Sequence, residues 1–436
     1  MQPIEGFSKL SKLEKIDFLV KSYLSNSSVK KETLKSFWIK EEKQQQLFDE
    51  FSENTISNFI FPYGVVPNVL INDKLYCVPM VIEESSVVAA ASKAAKFWQS
   101  RGGFKTAILG SEKVGQVHMI WKGEPSTIEN FFKSVKPQLF EEMSPLEVNM
   151  KSRGGGIKDI KLVNRTAEES GLFQLFVTFE TCDAMGANFI NTLLEALGRT
   201  FKNLMSAQFR DEELMIVMAI LSNYTPNCLV RAEVSCPVSD LDDKSHGMTP
   251  EVFAEKFMRA IRIAELDMYR ATTHNKGIMN GVDAVVLATG NDFRAVEACA
   301  HTYASHKGSY QSLSHAEIKD GVFRFWMDIP LSLGTVGGLT SLHPMARLSL
   351  DLLDSPSATQ LMEISATIGL AQNFAAVRSL VTSGIQKGHM KMHLMNILKH
   401  FEASEEEILI ARDYFENEII SFKSVRDFLA QRRNLQ

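Results

Sequence analysis

The hydrophobic pattern is clearest where two apolar runs, Val65–Ile71 and Leu75–Ile82, lie on either side of a short polar segment. Strand-forming residues dominate both runs, and the Asn-Asp pair at 72–73 is typical of a tight turn. We therefore predict a β-hairpin over these residues. Its second strand ends next to Glu83 and Glu84, so the pattern places two carboxylates where a strand meets the following segment.

Helical patterns follow at three places that bear on function. The alanine-rich run Val87–Trp98 begins after two serines that can act as an N-cap. A second helix is predicted to start at Asp183, with apolar residues at helical spacing, and to end at Gly198. A third begins at Thr249-Pro250 and keeps one apolar face as far as Arg270. Each helix is expected to pack its apolar face against a core.

Changes in the pattern along the chain divide it into three parts. Strands and helices alternate within residues 109–219, which we interpret as an inserted α+β domain. The flanking segments 1–108 and 220–382 are expected to form one discontinuous, mostly helical large domain. Residues 383–436 are charged and helical in pattern after a Ser-Gly break, and we interpret them as a C-terminal helical flap. The predicted fold class is α+β.

Composition narrows the class of protein further. With 436 residues, 45% hydrophobic and 23% charged, the chain has the mixture of a folded protein of two or more domains. The formal net charge of −5 gives no electrostatic reason to expect a nucleic acid as a partner. The N-terminus lacks the apolar core of a signal peptide, and the run Leu214–Leu221 is far shorter than the roughly 20 residues that span a bilayer. Five scattered cysteines without a CxxC pair suit a reducing compartment, so we expect a soluble, cytoplasmic protein with no membrane partner.

The usual nucleotide-binding signatures are missing from the sequence. There is no GxGxxG motif, and the segment Gly110–Gly115 is followed by Gln116 where a P-loop needs lysine. A Rossmann domain is therefore disfavoured. The segment Asp183–Asn188 is instead a helix start with small residues, which would let a pyrophosphate approach backbone N–H groups. Taken alone, such a segment is more often a tight helix start packed on a strand.

Several short motifs occur in an order that resembles the 3-hydroxy-3-methylglutaryl-coenzyme A reductase family in its bacterial, class II form. The segment Asp183–Gly186 resembles the cofactor motif of that family. Five or six motifs in one order over nearly the whole chain are highly specific, whereas any one of them alone is not. The other matching segments are Glu53–Ile56, Val78–Glu84, Asn275–Asn280, Ala288–Asp292 and Gly388–Met390.

The resemblance implies an enzyme that reduces 3-hydroxy-3-methylglutaryl-coenzyme A to mevalonate and free coenzyme A. The reaction takes two hydride transfers from NADH or NADPH, or runs in reverse as oxidative acylation of coenzyme A by mevalonate. The family also implies a homodimer or higher even oligomer with active sites at the interface, and a non-Rossmann cofactor domain. It would place the chain in the mevalonate pathway of isoprenoid biosynthesis.

Four catalytic roles come to this chain from the resemblance. Lys276 would stabilise the negative charge that develops on the carbonyl oxygen in each hydride transfer. Glu84 would donate a proton to the developing alkoxide, which requires a carboxyl group kept protonated by its surroundings. Asp292 would lie between these two residues, hold the lysine and raise the proton affinity of the glutamate. His389 would protonate the coenzyme A thiolate as it leaves.

Other interpretations of these residues remain open. Adjacent Glu83 is an alternative to Glu84, and Asp292 could instead cap the helix that follows it. A lysine such as Lys276 is most often a solvated surface residue. His389 and His393 have the i, i+4 spacing of metal ligands, but no HExxH glutamate accompanies them, so we expect no metal site.

Substrate and cofactor contacts are also implied by the resemblance. Arg270 and Asn280 would bind the carboxylate and the hydroxyl of the hydroxymethylglutaryl group, with Ser86 nearby. An acidic residue near the adenosine ribose, Glu147, would accept hydrogen bonds from a 2′-hydroxyl and repel a 2′-phosphate, which favours NADH. The alternative for Glu147 is a solvated loop carboxylate. The residues expected to hold the cofactor are Asp183, Met185, Gly186, Asn188 and Asn223, together with Glu147.

The chain departs from the family pattern at three positions, and two other functions remain candidates. Ser57, Ser8 and Met395 stand where the family has a glycine, an arginine and a second arginine, so no role is carried over for them. One alternative function keeps the coenzyme A thioester but uses Glu84 and His389 for hydration or lyase chemistry. The other is a non-catalytic protein that responds to coenzyme A.

Overall fold

The chain forms two compact units, Met1–Pro62 and Tyr63–Gln436. Residues 1–62, which we expected within the large domain, therefore form a unit of their own. The structure is a computed structural model, and the residues that it describes are 3–209, 214–241, 247–382, 394–416 and 418–433.

The N-terminal unit contains three helices. A capping box starts the first of them, because the side chains of Ser11 and Glu14 each accept a hydrogen bond from the other's backbone N–H. Lys12 Nζ donates to Asp49 Oδ1 at 2.7 Å and joins the first helix to the third. The elements are a 3₁₀ turn at Phe7–Lys9, α1 (Lys12–Tyr23), α2 (Ser28–Ser36) and α3 (Glu42–Asp49).

The predicted hairpin is confirmed in the second unit. Strands β1 (Tyr63–Ile71) and β2 (Lys74–Val81) pair antiparallel. Both residues of the turn, 72 and 73, have the positive φ that a tight two-residue turn requires. The predicted helix after the two glutamates is confirmed as α4 (Val87–Gln99), so the carboxylates lie at a strand-to-helix junction.

A four-stranded antiparallel sheet and the helices that cover it form the larger core. Its elements are β3 (Lys105–Ile108), β8 (Leu229–Pro237), β9 (Ser314–Lys319), β10 (Val322–Pro330), α7 (Pro250–Leu266), α8 (Met268–Ala288), α9 (Phe293–Ala304), α10 (Gly338–Leu342), α11 (Pro344–Leu352) and α12 (Ala358–Val381). The strand order is β3-β8-β10-β9. Phe257 of α7 lies 5.1–5.5 Å, between ring centroids, from Phe323, Phe325 and Phe374, so aromatic packing joins this sheet to α7 and α12.

The segment between β3 and β8 forms a second antiparallel sheet with two helices. Its elements are β4 (Lys113–Trp121), α5 (Pro125–Lys151), β5 (Gly156–Asn164), β6 (Leu172–Glu180), α6 (Ala187–Gln208) and β7 (Leu214–Ser222). The strand order is β5-β6-β4-β7, and alternate residues of β4, Val117, Met119 and Trp121, are buried. This core is separate from the larger one, and its residues lie in sequence between two stretches of the chain that form the larger core. The division into an inserted domain over residues 109–219 and a flanking large domain stays a prediction.

The helix predicted to run from Asp183 to Gly198 has different bounds in the structure. It begins four residues later and continues ten residues further, as α6. Gly198 lies inside the helix, and a Cβ at this position would lie 3.1 Å from Val117 Cγ1 of β4. The glycine therefore permits close packing of the helix on the sheet instead of a C-terminal stop.

The long helix predicted from Thr249 to Arg270 is also different, because it is two helices. The break is at Asp267, whose extended backbone (φ −108°, ψ 115°) ends α7. The Asp267 carboxylate accepts from Tyr269 N and caps the start of α8. The apolar periodicity continues across the break, which explains why the pattern alone did not show it.

The C-terminal part of the described chain is helical. Residues 394–400 are helical, and α13 (Glu405–Tyr414) and α14 (Phe422–Arg433) follow. Leu398, Ala411 and Val425 lie in a small core of this segment. Residues 383–393, the start of the predicted flap, lie outside the described residues. In the described ranges no helix is both long and apolar enough to cross a membrane.

Candidate active site

Glu84 lies in the turn between β2 and α4, where its carboxylate meets two side chains of α8. Lys276 Nζ donates to Glu84 Oε2 at 2.8 Å, and Asn280 Nδ2 donates to the same oxygen at 3.4 Å. Because Lys276 and Asn280 are four residues apart, they lie on one face of the helix. The structure therefore brings together three residues to which the sequence assigned catalysis and substrate binding.

The remaining residues of this turn differ in their surroundings. Glu83 is exposed, and no hydrogen bond joins its side chain to a described residue. Ser86 has a φ of 77°, in the left-handed region that residues with a side chain rarely adopt. The prediction that this serine caps α4 is wrong, because its side chain makes no capping hydrogen bond. Such backbone outliers concentrate at functional sites, and this one lies two residues from Glu84.

Asp292 caps a helix in the structure and does not contact Lys276. Its Oδ1 accepts from the backbone N–H groups of Arg294 and Ala295 at 3.0 and 3.2 Å, and from Arg294 Nε at 3.1 Å. Burial by itself raises the pKa of Asp292, but the Arg294 guanidinium and these N–H groups outweigh burial, and the pKa is lowered. The predicted contact with the lysine is therefore absent, and the alternative of a helix cap is present.

Arg270 lies apart from the Glu84 cluster. It is on the first turn of α8, six residues before Lys276, so it faces a different side of the helix. Burial, and then the nearby charge of Arg270, lower the pKa of His274 to about 3. The Arg270 guanidinium forms no hydrogen bond with a described residue. The fourth predicted catalytic residue, His389, lies outside the described residues.

The loop before α6 is shaped around Gly186. This glycine has a φ of 93°, and a Cβ at its position would lie 2.5 Å from Thr181 Cγ2, so no other residue fits without a shift. Gly186 provides no side-chain cap, and the N–H groups of residues 187–189 are bonded to no acceptor among the described residues. A helix start with free N–H groups and a glycine fits a phosphate group.

Asp183 attaches this loop to the large core. Its Oδ1 accepts from Ala358 N, at the first position of α12, at 2.8 Å. Its backbone carbonyl accepts from Thr335 N, also at 2.8 Å. Asp183 was predicted to contact the cofactor. In the structure one of its carboxylate oxygens already accepts a hydrogen bond from the first residue of α12.

Gly334 is a residue of this region that was not predicted from the sequence. A Cβ at its position would lie 2.4 Å from Met185 N, so its backbone lies directly against the loop. Its own N–H donates to Asn291 Oδ1 at 2.8 Å, next to Asp292. The glycine-rich run 334–338 was the available signal. Gly334 therefore connects the predicted cofactor loop with the turn that carries the predicted catalytic aspartate.

The other predicted cofactor residues have different surroundings. Asn188 is exposed, and Asn223 lines a cavity of about 20 Å³ together with Met185. Glu147 is 0% exposed and lies on α5, where its carboxylate accepts from Ile157 N and pairs with Lys151 at 2.9 Å. Glu147 is therefore a buried carboxylate on a helix and not a solvated loop carboxylate.

The part of the chain that the structure describes contains no group of three histidine, cysteine, aspartate or glutamate side chains that could hold a metal. The pair at 389 and 393, which has metal-ligand spacing, lies outside that part. All five cysteines are unpaired, and three of them are buried. They have the environment of small core residues, apart from Cys77 and Cys182, which are partly exposed.

Similarity to known proteins shows the family. Residues 14–394 match the family model described as "Hydroxymethylglutaryl-coenzyme A reductase". The chain belongs to this reductase family. It is 36% identical over 412 residues to the 3-hydroxy-3-methylglutaryl-coenzyme A reductase of Archaeoglobus fulgidus, which covers 93% of this chain and 88% of the relative. The probable reductase of Borreliella burgdorferi is 34% identical over 406 residues, or 91% of this chain and 89% of the relative.

Solved structures of reductases agree with this assignment. The class II reductase of Streptococcus pneumoniae, bound to NADPH in open conformations, is 36% identical with a TM-score of 0.71, over 87% of this chain and 100% of that chain. Another structure of the pneumococcal reductase has a TM-score of 0.72 at 36% identity and covers both chains fully. The predicted family and mixed helix-and-sheet fold are therefore confirmed. The reaction of this reductase is the conversion of 3-hydroxy-3-methylglutaryl-coenzyme A to mevalonate with NAD(P)H.

Proposed function

We propose that Glu84, Lys276 and Asn280 form the catalytic centre at which this reductase converts the thioester to the alcohol. The observation that carries the proposal is that a single oxygen of Glu84 accepts from Lys276 at 2.8 Å and from Asn280 at 3.4 Å. A carboxyl group, a cation and an amide around one point are the groups that reduction of a carbonyl needs for proton transfer and charge stabilisation.

The cluster would act in two successive reductions, of the thioester to an aldehyde and of the aldehyde to the alcohol. A bound nicotinamide cofactor supplies the hydride in each. Negative charge develops on the carbonyl oxygen both times, and the Lys276 ammonium stabilises it. Glu84, in the form whose carboxyl group carries a proton, then gives that proton to the oxygen and becomes a carboxylate. Glu83 is the weaker candidate for this proton transfer, because it is exposed and has no hydrogen-bond partner among the described residues.

Asp292 would join this centre by releasing the Arg294 guanidinium and pairing with the Lys276 ammonium instead. In the structure its carboxylate is paired with Arg294, and its lowered pKa keeps it ionised at neutral pH. An ionised carboxylate can orient the Lys276 ammonium by direct attraction. The exchange requires Asp292 to release the Arg294 guanidinium, which is exposed and therefore weakly held.

His389 is proposed to protonate the coenzyme A thiolate after the first reduction. An imidazole suits this task because its ordinary pKa lies near neutrality, whereas a carboxyl group is ordinarily ionised and an ammonium group holds its proton more tightly. The support is the segment Gly388–Met390, which has the family's sequence and order.

Arg270 and Ser86 are proposed contacts of the hydroxymethylglutaryl group. The Arg270 guanidinium is half-buried and has no hydrogen-bond partner among the described residues, and burial lowers its pKa. A carboxylate ligand would supply the missing charge and two acceptor oxygens. Ser86, with its left-handed backbone next to Glu84, leaves its hydroxyl free from capping α4.

The cofactor is proposed to bind at the start of α6. Gly186, the N–H groups of residues 187–189, which have no acceptor among the described residues, and the side chains of Asn188 and Asn223 would hold it. The argument for NADH relied on a carboxylate of Glu147 beside the ribose, and that carboxylate is buried. Because the pneumococcal relative is bound to NADPH, we propose NADPH as the cofactor, with NADH as the alternative.

A homodimer is proposed as the functional assembly. Exposed apolar side chains recur every three or four residues along α10, α11 and the segment before them, and they would be covered by a second copy. They are Val336, Leu339, Leu342, Met345, Leu348 and Leu352.

Cofactor oxidation tests the proposed function directly. The reductase would be mixed with 3-hydroxy-3-methylglutaryl-coenzyme A and either NADPH or NADH, and the loss of nicotinamide absorbance would be followed. We expect oxidation that depends on the thioester and is faster with NADPH. Faster oxidation with NADH would overturn the cofactor proposal.

A further inference from the structure

A buried lysine lies beneath the proposed cofactor loop. Lys113, the first residue of β4, is only 4% exposed. Its ammonium donates to the carbonyl oxygen of Ala184 at 2.7 Å and to the hydroxyl of Thr181. Lysines are almost never fully buried unless paired or hydrogen-bonded. None of the roles assigned to the site so far uses this residue.

The buried surroundings of Lys113 disfavour the charged form of its side chain. Burial lowers the pKa of Lys113, and the negative charges of Glu180 and Asp183 oppose that effect. No ion pair joins its ammonium to either carboxylate, and the groups it bonds are uncharged oxygens of the loop. The ammonium therefore contributes hydrogen bonds to the loop instead of neutralising one partner.

These hydrogen bonds determine the shape of residues 181–186. The Thr181 hydroxyl, which accepts from Lys113, itself donates to Ala184 O at 2.7 Å, so three groups close a small network. Because a trans peptide is planar, holding the Ala184 carbonyl towards Lys113 directs the N–H of Met185 the opposite way. Thr181 is also the residue whose methyl group occupies the space beside Gly186. The network therefore holds both ends of the turn that leads into α6.

We propose that Lys113 is a positioning residue for the nicotinamide cofactor: its ammonium holds the 181–186 loop in the conformation that presents the start of α6 to the cofactor. This inference depends on the proposed cofactor site. Lys113 lines the cavity of about 20 Å³ that contains Met185 and Asn223, and also one of about 340 Å³ on the Asp183 side of the loop. It therefore lies between the two open spaces that border the loop.

The test is the affinity for NADPH of Lys113→Met, which keeps the length of the side chain and removes the ammonium. Binding would be measured by the change in nicotinamide fluorescence, without turnover. We expect the Kd for NADPH to rise roughly ten- to a hundredfold, as for the loss of hydrogen bonds from a charged group. The Kd for the thioester should stay within about twofold, and kcat at saturating NADPH should fall much less than the KM for NADPH rises.

Two further comparisons separate positioning from a general loss of structure. Lys136→Met removes a more exposed lysine of the same inserted segment, paired with Asp159 at 2.7 Å, and should leave the Kd unchanged. Thr181→Val removes the hydroxyl at constant shape and should raise the Kd in the same way, whereas Thr181→Ser restores the hydroxyl and should recover most of the affinity. If Lys113→Met fails to fold, the pair at Thr181 decides the matter.

Gly186→Ala separates the inference from the proposed cofactor site. Its added Cβ would displace the loop directly, so it should weaken NADPH binding whatever Lys113 does. If neither Gly186→Ala nor Lys113→Met changes the Kd, the cofactor site itself is wrong. A second outcome is that Gly186→Ala weakens binding while Lys113→Met folds and binds NADPH as the wild type does. In that case, or if Thr181→Val binds NADPH as the wild type does, the role of Lys113 is overturned and the cofactor site stands.

Discussion

The cluster around Glu84 and the loop before α6 are held in place in different ways. The side chains of Lys276 and Glu84 are 60% and 38% exposed, and they form an ion pair with each other. The loop is attached through the buried ammonium of Lys113, through the Asp183 carboxylate, which accepts from Ala358 N, and through the close approach of the Gly334 backbone. An exposed ion pair contributes little to stability, so the cluster can exchange partners when substrate arrives. We therefore expect substitutions in the cluster to slow the chemistry, and substitutions around the loop to weaken cofactor binding.

The largest effect is expected from Glu84→Gln. The amide keeps the size of the side chain but has no acidic proton to give to the alkoxide, so kcat should fall roughly 10²–10⁴-fold. Glu83→Gln is the matched control, because it makes the same change one residue away on an exposed side chain, and it should retain activity. Loss of activity in the Glu83 variant alone, measured by NADPH oxidation, would reverse the assignment.

His389→Gln should affect only one of the two reductions. Reduction of the thioester should slow roughly a hundredfold or more, because coenzyme A would leave as an unprotonated thiolate that adds back to the aldehyde. Reduction of free mevaldehyde has no thiol to expel and should proceed normally. Steady-state rates with both substrates check this, and equal losses on the two would assign His389 to folding or cofactor binding.

Gly334→Ala should act on the loop and leave the chemistry intact. The added Cβ would lie 2.4 Å from Met185 N, so either the loop or the 334–338 segment must move. We expect the KM for NADPH to rise about tenfold with a much smaller change in kcat, since misplacing a binding group weakens ground-state and transition-state binding alike. A variant that loses kcat at unchanged KM would show that this region acts in the chemistry, against the division proposed here.

Arg294→Met should have the smallest effect, which is on the stability of the fold. The direction of this effect at each pH follows from the lowered pKa of Asp292. A carboxyl group whose pKa is lower in the folded state stabilises the protein above its ordinary pKa, and this stabilisation is lost as the pH falls through the folded value. Removing Arg294 should therefore lower stability at neutral pH by less than about 1 kcal/mol and reduce the loss on acidification. Melting temperatures measured from neutral to acidic pH give both the stability at neutral pH and its loss on acidification. Arg259→Met, which breaks an exposed ion pair with Glu255, is the control.

Local pattern was enough to predict the hairpin, α4 and the junction that carries Glu84. The strands are rich in strand-forming residues, the turn has two turn-forming residues, and the helix is an alanine-rich run. In each element the local signals predict the same structure. The break at Asp267 could not be predicted, because the apolar face continues in phase across it. Gly198 was misjudged for a different reason: its role is set by the approach of β4, a contact between distant parts of the chain.

Only those residues of the site that lie in the recognised motifs were predicted from the sequence. The motifs identified Lys276, Asn280 and Glu84, and the structure places them in contact. Lys113 could not be found in this way, because a lysine at the start of a strand is normally solvated and only the folded loop buries it. Asp292 was ambiguous from the start, since the same residue type caps a helix and orients a lysine, and the structure contains the cap.

The most direct test of the central claim, that Lys276 serves both reductions beside a separately held cofactor loop, is a single-turnover experiment with Lys276→Ala. NADPH oxidation would be followed at saturating cofactor with the thioester and, separately, with mevaldehyde, alongside Lys256→Ala, an exposed lysine of α7, as the control. The loss of the Lys276 ammonium, which is proposed to stabilise the oxyanion, should slow both substrates in parallel by roughly 10²–10³-fold, while the Kd for NADPH stays near that of the wild type. Reduction of either substrate at the wild-type rate, or a loss confined to NADPH binding, would contradict the account.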